Sequence, residues 1–213
     1  GAAVVFATVR LHRPILEMAG VEERCGASSG IVRVRLIRCR SSDRKAGEDM
    51  MREWQKPIQS VLFVCTGNIF RSLVAEQALK MMLGGQSSCL VGSAGIDVKP
   101  QAVHEWVQMR LSLKGADIAG HVQRQLTQEM IEKTDFVIAM GCNHQAFIRE
   151  RFERDVPLFN HVCFERDEPI LDVHEALPEW EKDLERARLY VWSVIDRIWE
   201  ATPSLISRLP TVR

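Results

Sequence analysis

Cys65 and Arg71 stand six positions apart, with Thr66, Gly67, Asn68, Ile69 and Phe70 between them and Ser72 immediately after. A thiol, a run of mostly small residues and a cation in that order suit one kind of chemistry, the capture of an oxyanion beside a nucleophile. A tight loop feeding a helix start leaves backbone N–H groups without partners, with the positive end of the helix dipole behind them. A phosphate-sized anion fits such a cradle. Gly67 and Asn68 are residue types that tolerate the left-handed backbone the loop requires, and Arg71 can reach back with a planar, two-pronged donor. The same donors favour the thiolate of Cys65 over the thiol, and the Ser72 hydroxyl can donate to the sulfur. Of the six cysteines, at positions 25, 39, 65, 89, 142 and 163, only Cys65 has arginine at this offset, follows an apolar run and precedes Gly-Asn.

The elements that must position these groups are readable on either side. Val61, Leu62, Phe63 and Val64 form a continuous apolar run, expected as a buried strand that ends at Cys65. Phe70, Leu73, Val74, Ala78, Met81 and Met82 recur at helical spacing, and Gly84-Gly85 supplies a stop. Strand and helix then alternate. Cys89 to Ser93 and Asp135 to Met140 read as strands, the stretch from Val103 to Gly115 and that from Asn143 to Phe152 as helices, and Val156 to Phe164 as a fourth strand broken by Pro157 and Asn160. Pro178 is expected to open a long final helix with Leu184, Val191, Ile195 and Ile198 as its core stripe, ended by Pro203. Such alternation implies parallel strands with right-handed crossovers.

At the Cys65 to Ser72 loop the chain resembles the low-molecular-weight protein tyrosine phosphatase family, whose signature reads cysteine, five residues, arginine, serine. Ser93-Ala94-Gly95 is similar to that family's second-strand motif, His121 with Arg124-Gln125-Leu126-Thr127 to its histidine-arginine-glutamine segment, and Asp135 to Met140 to its third strand. The resemblance implies an α/β fold of three layers, a four-stranded parallel sheet flanked by helices, with the phosphate loop between the first strand and the first helix. It implies Cys65 as nucleophile, Arg71 as phosphate ligand and an aspartate near the last helix as proton donor. Asp167 and Asp172 are both candidates, and Asp172 is preferred because Pro169-Ile170-Leu171 leads into it as in the family. The resemblance also implies Asn68 as the residue holding the loop's backbone, with Ser93 and His121 beneath it. Phe70 replaces a second cysteine found in many members, Leu73 and Val173 replace prolines, and no ring follows Asp172 where the family sets one beside phosphotyrosine.

The expected reaction is hydrolysis of a phosphorylated protein or a small phosphate monoester through a cysteinyl-phosphate, with no cofactor and no metal. Two alternatives stand beside it. One is an arsenate reductase of the same fold, in which Cys142 would need a second cysteine that the segment Asn143 to Phe152 lacks. The other is a phosphate-binding module without turnover. Basic and acidic residues balance at 28 each, which argues against a nucleic-acid partner, and no apolar run is long enough to span a membrane. Scattered cysteines favour a reducing compartment, so the cytoplasm is the expected location. Residues 1–56 read as a poorly ordered extension that includes a strand-like alternation at Ile31 to Arg38, residues 57–205 as the phosphatase-like domain and 206–213 as a tail.

Overall fold

The computed structural model describes residues 58–85 and 87–209. The expectations for the N-terminal extension and its alternating segment lie outside the described residues.

Strand β1 (Ser60–Cys65) is the middle of the sheet, and its sequence explains why. Val61 to Cys65 are all buried, so this strand has no solvent face to supply and must be covered on both sides. Successive side chains point to opposite faces. Val61, Phe63 and Cys65 enter one core with helices α1 (Arg71–Leu83), α2 (Glu105–Leu113), α5 (Phe159–Phe164) and α7 (Leu184–Arg208). Leu62 and Val64 enter the other, with Leu126, Ile131 of α3 (Gln128–Lys133) and Ile148 of α4 (Cys142–Phe152). Strands β2 (Leu90–Gly95) and β3 (Phe136–Ala139) pair with β1 in parallel, giving the order β2-β1-β3. The register sets Cys65 opposite Gly95 and Val64 opposite Ala139. Three layers result, and the loop after β1 opens at the C-terminal edge of the sheet, where ligand sites of parallel sheets lie.

The sheet has three strands among the described residues, not the expected four. Residues 156–164 contribute a single parallel bridge, Ala139 with Leu158, supported by the Ala139 amide donating to the Pro157 carbonyl at 2.9 Å. Pro157 has no N–H to extend the ladder, and Phe159, Val162 and Cys163 bury themselves at helical spacing instead, which makes this stretch α5. The last helix also differs from expectation. Pro178 does not open it; the chain first forms α6 (Val173–Ala176) and a 3-10 turn (Trp180–Lys182). Helix α7 begins at Leu184, capped by Asp183, whose carboxylate accepts from the Arg186 amide at 3.0 Å. Leu184 is exposed rather than core, whereas Val191, Ile195 and Ile198 are buried as expected. Pro203 lies inside α7, which continues to Arg208 because Leu205 and Leu209 are buried beyond it.

Gly95, at the end of β2, is where the sheet and the loop come closest. A Cβ built there would lie 2.5 Å from the Thr66 carbonyl oxygen and 2.7 Å from Val98 Cγ2. Backbone cannot step aside as a flexible side chain can, so the absence of a Cβ sets how tightly the loop seats on β2. Gly95→Ala is expected to destabilise the fold by about 2–3 kcal/mol, read as a lowered midpoint in urea unfolding; an unchanged midpoint would show that the loop does not depend on this approach.

Candidate active site

Strand β1 delivers Cys65, buried, to the floor of the loop, and α1 starts at Arg71. Between them the chain reverses through one left-handed residue, which is Asn68 (φ 56°) and not Gly67. Asparagine tolerates this backbone better than most residues because its short amide can satisfy the groups around it. Asn68 is fully buried and does so on every side. Its Nδ2 donates to Ser93 Oγ at 2.7 Å and to Ser72 Oγ at 3.2 Å, and its Oδ1 accepts from the Arg124 amide at 2.9 Å. Its carbonyl accepts from His121 Nε2 at 2.7 Å, while Gln123 Nε2 donates to the Gly67 carbonyl at 2.7 Å. The carbonyls of the loop are thus held from outside. Among the described residues nothing accepts from the amides of Gly67 to Phe70, and Phe70 caps α1 with no side-chain hydrogen bond. Unpaired amides at a helix start are donors that an anion can use.

Ser72 Oγ lies 3.0 Å from Cys65 Sγ. Because that oxygen already accepts from Asn68, its own hydrogen is free to point at the sulfur. Beneath the loop, Ser93 passes the chain of hydrogen bonds to Glu76, a buried carboxylate on α1 that also meets Lys80 and, at 3.5 Å, Arg124. Arg124 belongs to the histidine-arginine-glutamine segment read from the sequence, whereas nothing in the sequence singles out Glu76. The other free cysteines described, Cys89 and Cys163, are pushed up by burial, Cys163 to about 12, so neither offers a ready thiolate.

Arg71 is 1% exposed and gathers distant parts of the chain. Its Nη1 donates to the Ile170 carbonyl at 2.8 Å and lies 3.3 Å from Glu175 Oε2; its Nη2 pairs with Asp172 Oδ2 at 2.9 Å and lies 3.5 Å from Thr66 Oγ1. Nε is buried without a partner. Nη1 is therefore anchored, Nη2 meets Asp172 and Nε is open, so an anion gripped by Nε and Nη2 would take the place of the Asp172 contact. Asp172 sits beside Arg71, whereas Asp167 pairs with His161 Nδ1 at 2.7 Å, away from it. The loop carrying Asp172 is fixed by the Ile170 amide donating to the Met140 carbonyl at 2.8 Å and by the Tyr190 hydroxyl donating to the Leu171 carbonyl at 3.0 Å. Of the remaining residues singled out, Ile69 is half-buried in the loop and Phe70 packs into the core on the α1 side of the sheet.

His144, on the first turn of α4, shares a hydrogen bond with Thr66 Oγ1 at 3.0 Å through Nε2 and is fully buried. Burial first, and then the charge of Arg71, depress its pKa to about 3. An unfolded chain protonates this imidazole near its ordinary value while the folded chain keeps it neutral. Its contribution to stability is therefore present above about pH 6.5 and lost as pH falls toward 3. Between neutral pH and about pH 4, His144→Gln is expected to lose ~2–3 kcal/mol less stability than the wild type; parallel pH curves from chemical unfolding would contradict the buried neutral imidazole.

The family model described as low molecular weight phosphotyrosine protein phosphatase matches residues 60–209. The low molecular weight protein-tyrosine-phosphatase Etp of Escherichia coli (strain K12) is 35% identical over 100 residues, covering 43% of this chain and 61% of that protein. The chain thus spans about three-fifths of the length of that relative. An arsenate reductase of Halalkalibacterium halodurans is 36% identical over 89 residues, covering 40% of this chain and 58% of that protein. Among solved structures, the YwlE arginine phosphatase from Geobacillus stearothermophilus superposes with a TM-score of 0.60 at 25% identity, covering 72% of this chain and 93% of that one. With the loop, the sheet order and a match across most of the described residues, the chain belongs to the low molecular weight phosphotyrosine protein phosphatase family.

Proposed function

We propose that this chain hydrolyses phosphorylated protein side chains through a cysteinyl-phosphate intermediate. The observation that carries the reading is the contact of Arg71 with Asp172 at 2.9 Å, which joins the cysteine loop to a carboxylate from the far end of the domain. In the first step the Cys65 thiolate attacks phosphorus, the bond from phosphorus to the leaving atom breaks, and Asp172 gives its proton to the departing group. In the second, Asp172 takes a proton from water as that water attacks phosphorus; the sulfur–phosphorus bond breaks, inorganic phosphate leaves and the thiolate is restored. The loop amides and the Nε–Nη2 edge of Arg71 hold the phosphoryl oxygens through both steps. Ser72 supports the thiolate as leaving group in the second.

Hydrolysis is favoured over arsenate reduction because an acid stands at the mouth, which the first reaction needs and a cysteine relay does not. The side chains after Asp172 are Val173, His174 and Glu175, with no phenylalanine, tyrosine or tryptophan among them. A panel of phosphotyrosyl and phosphoarginyl peptides therefore belongs beside any aryl phosphate assay. With p-nitrophenyl phosphate, Cys65→Ser is expected to abolish turnover and Asp172→Asn to lower it by ~10²-fold or more. Turnover that survives Cys65→Ser would refute the assignment, and thiol-dependent arsenate reduction lost in Cys142→Ser would replace it with the reductase.

A further inference from the structure

Glu175 follows Asp172 by one helical turn and occupies a place where a second carboxylate is unfavourable. Its Oε2 lies 3.3 Å from Arg71 Nη1, and Arg71 already has Asp172 as counter-charge and the Ile170 carbonyl as acceptor. A further negative charge beside an anion-binding arginine opposes the arrival of phosphate. What it supplies in return is visible in the backbone. Glu175 Oε2 accepts from the Asp172 amide at 2.6 Å, and the Asp172 carboxylate accepts from the Glu175 amide, the two bonds of a capping box at the start of α6; Asp172 Oδ1 also accepts from the Val173 amide at 2.7 Å. Helix α6 has four residues, too short to be held by its own ladder. Val173 makes this last bond possible, since a proline at that position would have no N–H to give.

The contacts of Asp172 divide its carboxylate by task. Oδ1 is turned to the helix and Oδ2 to Arg71 and the mouth. Once a phosphoryl group engages Nη2, Arg71 no longer holds Oδ2, and the box is what remains to keep the acid in place. We propose that Glu175 is a positioning residue for Asp172, fixing the backbone of the acid through its amide so that Oδ2 stays at the departing group during P–O cleavage. This rests on the phosphatase reading above.

The test compares two monoesters that need the acid unequally, phenyl phosphate with a poor leaving group and p-nitrophenyl phosphate with a good one. Glu175→Ala is expected to lower kcat/KM about tenfold for phenyl phosphate and less than about threefold for p-nitrophenyl phosphate. Glu175→Gln, whose amide oxygen can accept from the same N–H, recovers most of that loss. In an Asp172→Asn background, Glu175→Ala costs nothing further. Equal losses on both esters, a glutamine variant as impaired as the alanine variant, or additive losses in the double variant would each overturn the proposal. Wild-type protein without turnover, or turnover surviving Cys65→Ser, would instead remove the enzyme reading on which it rests.

Discussion

A guanidinium buried to 1% exposure is the constraint on which the rest of this structure depends. A buried cation is costly unless neighbouring groups replace the water it has lost. Arg71 recruits those groups from three places: Thr66 in the loop before it, Ile170 at the end of the segment after α5, and Asp172 with Glu175 around the start of α6. Satisfying the charge therefore brings the Asp172 carboxylate to the arginine that closes the cysteine loop. The same contacts leave Nε buried and unpaired, so the protein meets only part of the need of Arg71.

A second demand comes from the backbone. The loop turns through one left-handed residue, and Asn68 takes that conformation while burying a polar side chain completely. Ser93, Ser72 and the Arg124 amide offset that burial with hydrogen bonds, and Glu76 extends the network into α1. Loop geometry, the hydroxyl beside the sulfur and the seating of β2 against the loop thus share the same atoms. Thr66 is tied into the arrangement from α4 by a neutral imidazole, which adds no charge next to Arg71.

The readable parts of this chain were those whose logic is local. The buried strand, the small-residue loop and the helix start lie close together in sequence, and their order alone pointed to the cradle and its thiol. Asn68, Ser93 and His121 followed from the family resemblance, and the structure gathers them at one point. Asp172 was preferred to Asp167 for its apolar lead-in, and it is the one of the two that lies against Arg71. The fourth strand was misread because Val156 to Leu158 is extended and apolar, while the helical spacing of Phe159, Val162 and Cys163 begins only after Pro157. Pro203 was read as a stop because its effect on the ladder is local, whereas the packing of Leu205 that carries α7 past it is not. His144, Glu76 and Glu175 gave no signal strong enough to single them out. Each matters through a partner distant in sequence or through a charge that only folding makes dense.

In the proposed reaction the phosphoryl group passes through the sulfur of Cys65. Rapid acid quench of Asp172→Ala during reaction with p-nitrophenyl phosphate, followed by peptide mass spectrometry, addresses this route most directly, because water activation without the acid is slow and the intermediate accumulates. One phosphoryl group is expected on the peptide carrying Cys65, absent when Cys65 is replaced by alanine. A phosphoryl group on another residue, or none while p-nitrophenol is still released and Cys65 is intact, would contradict this route.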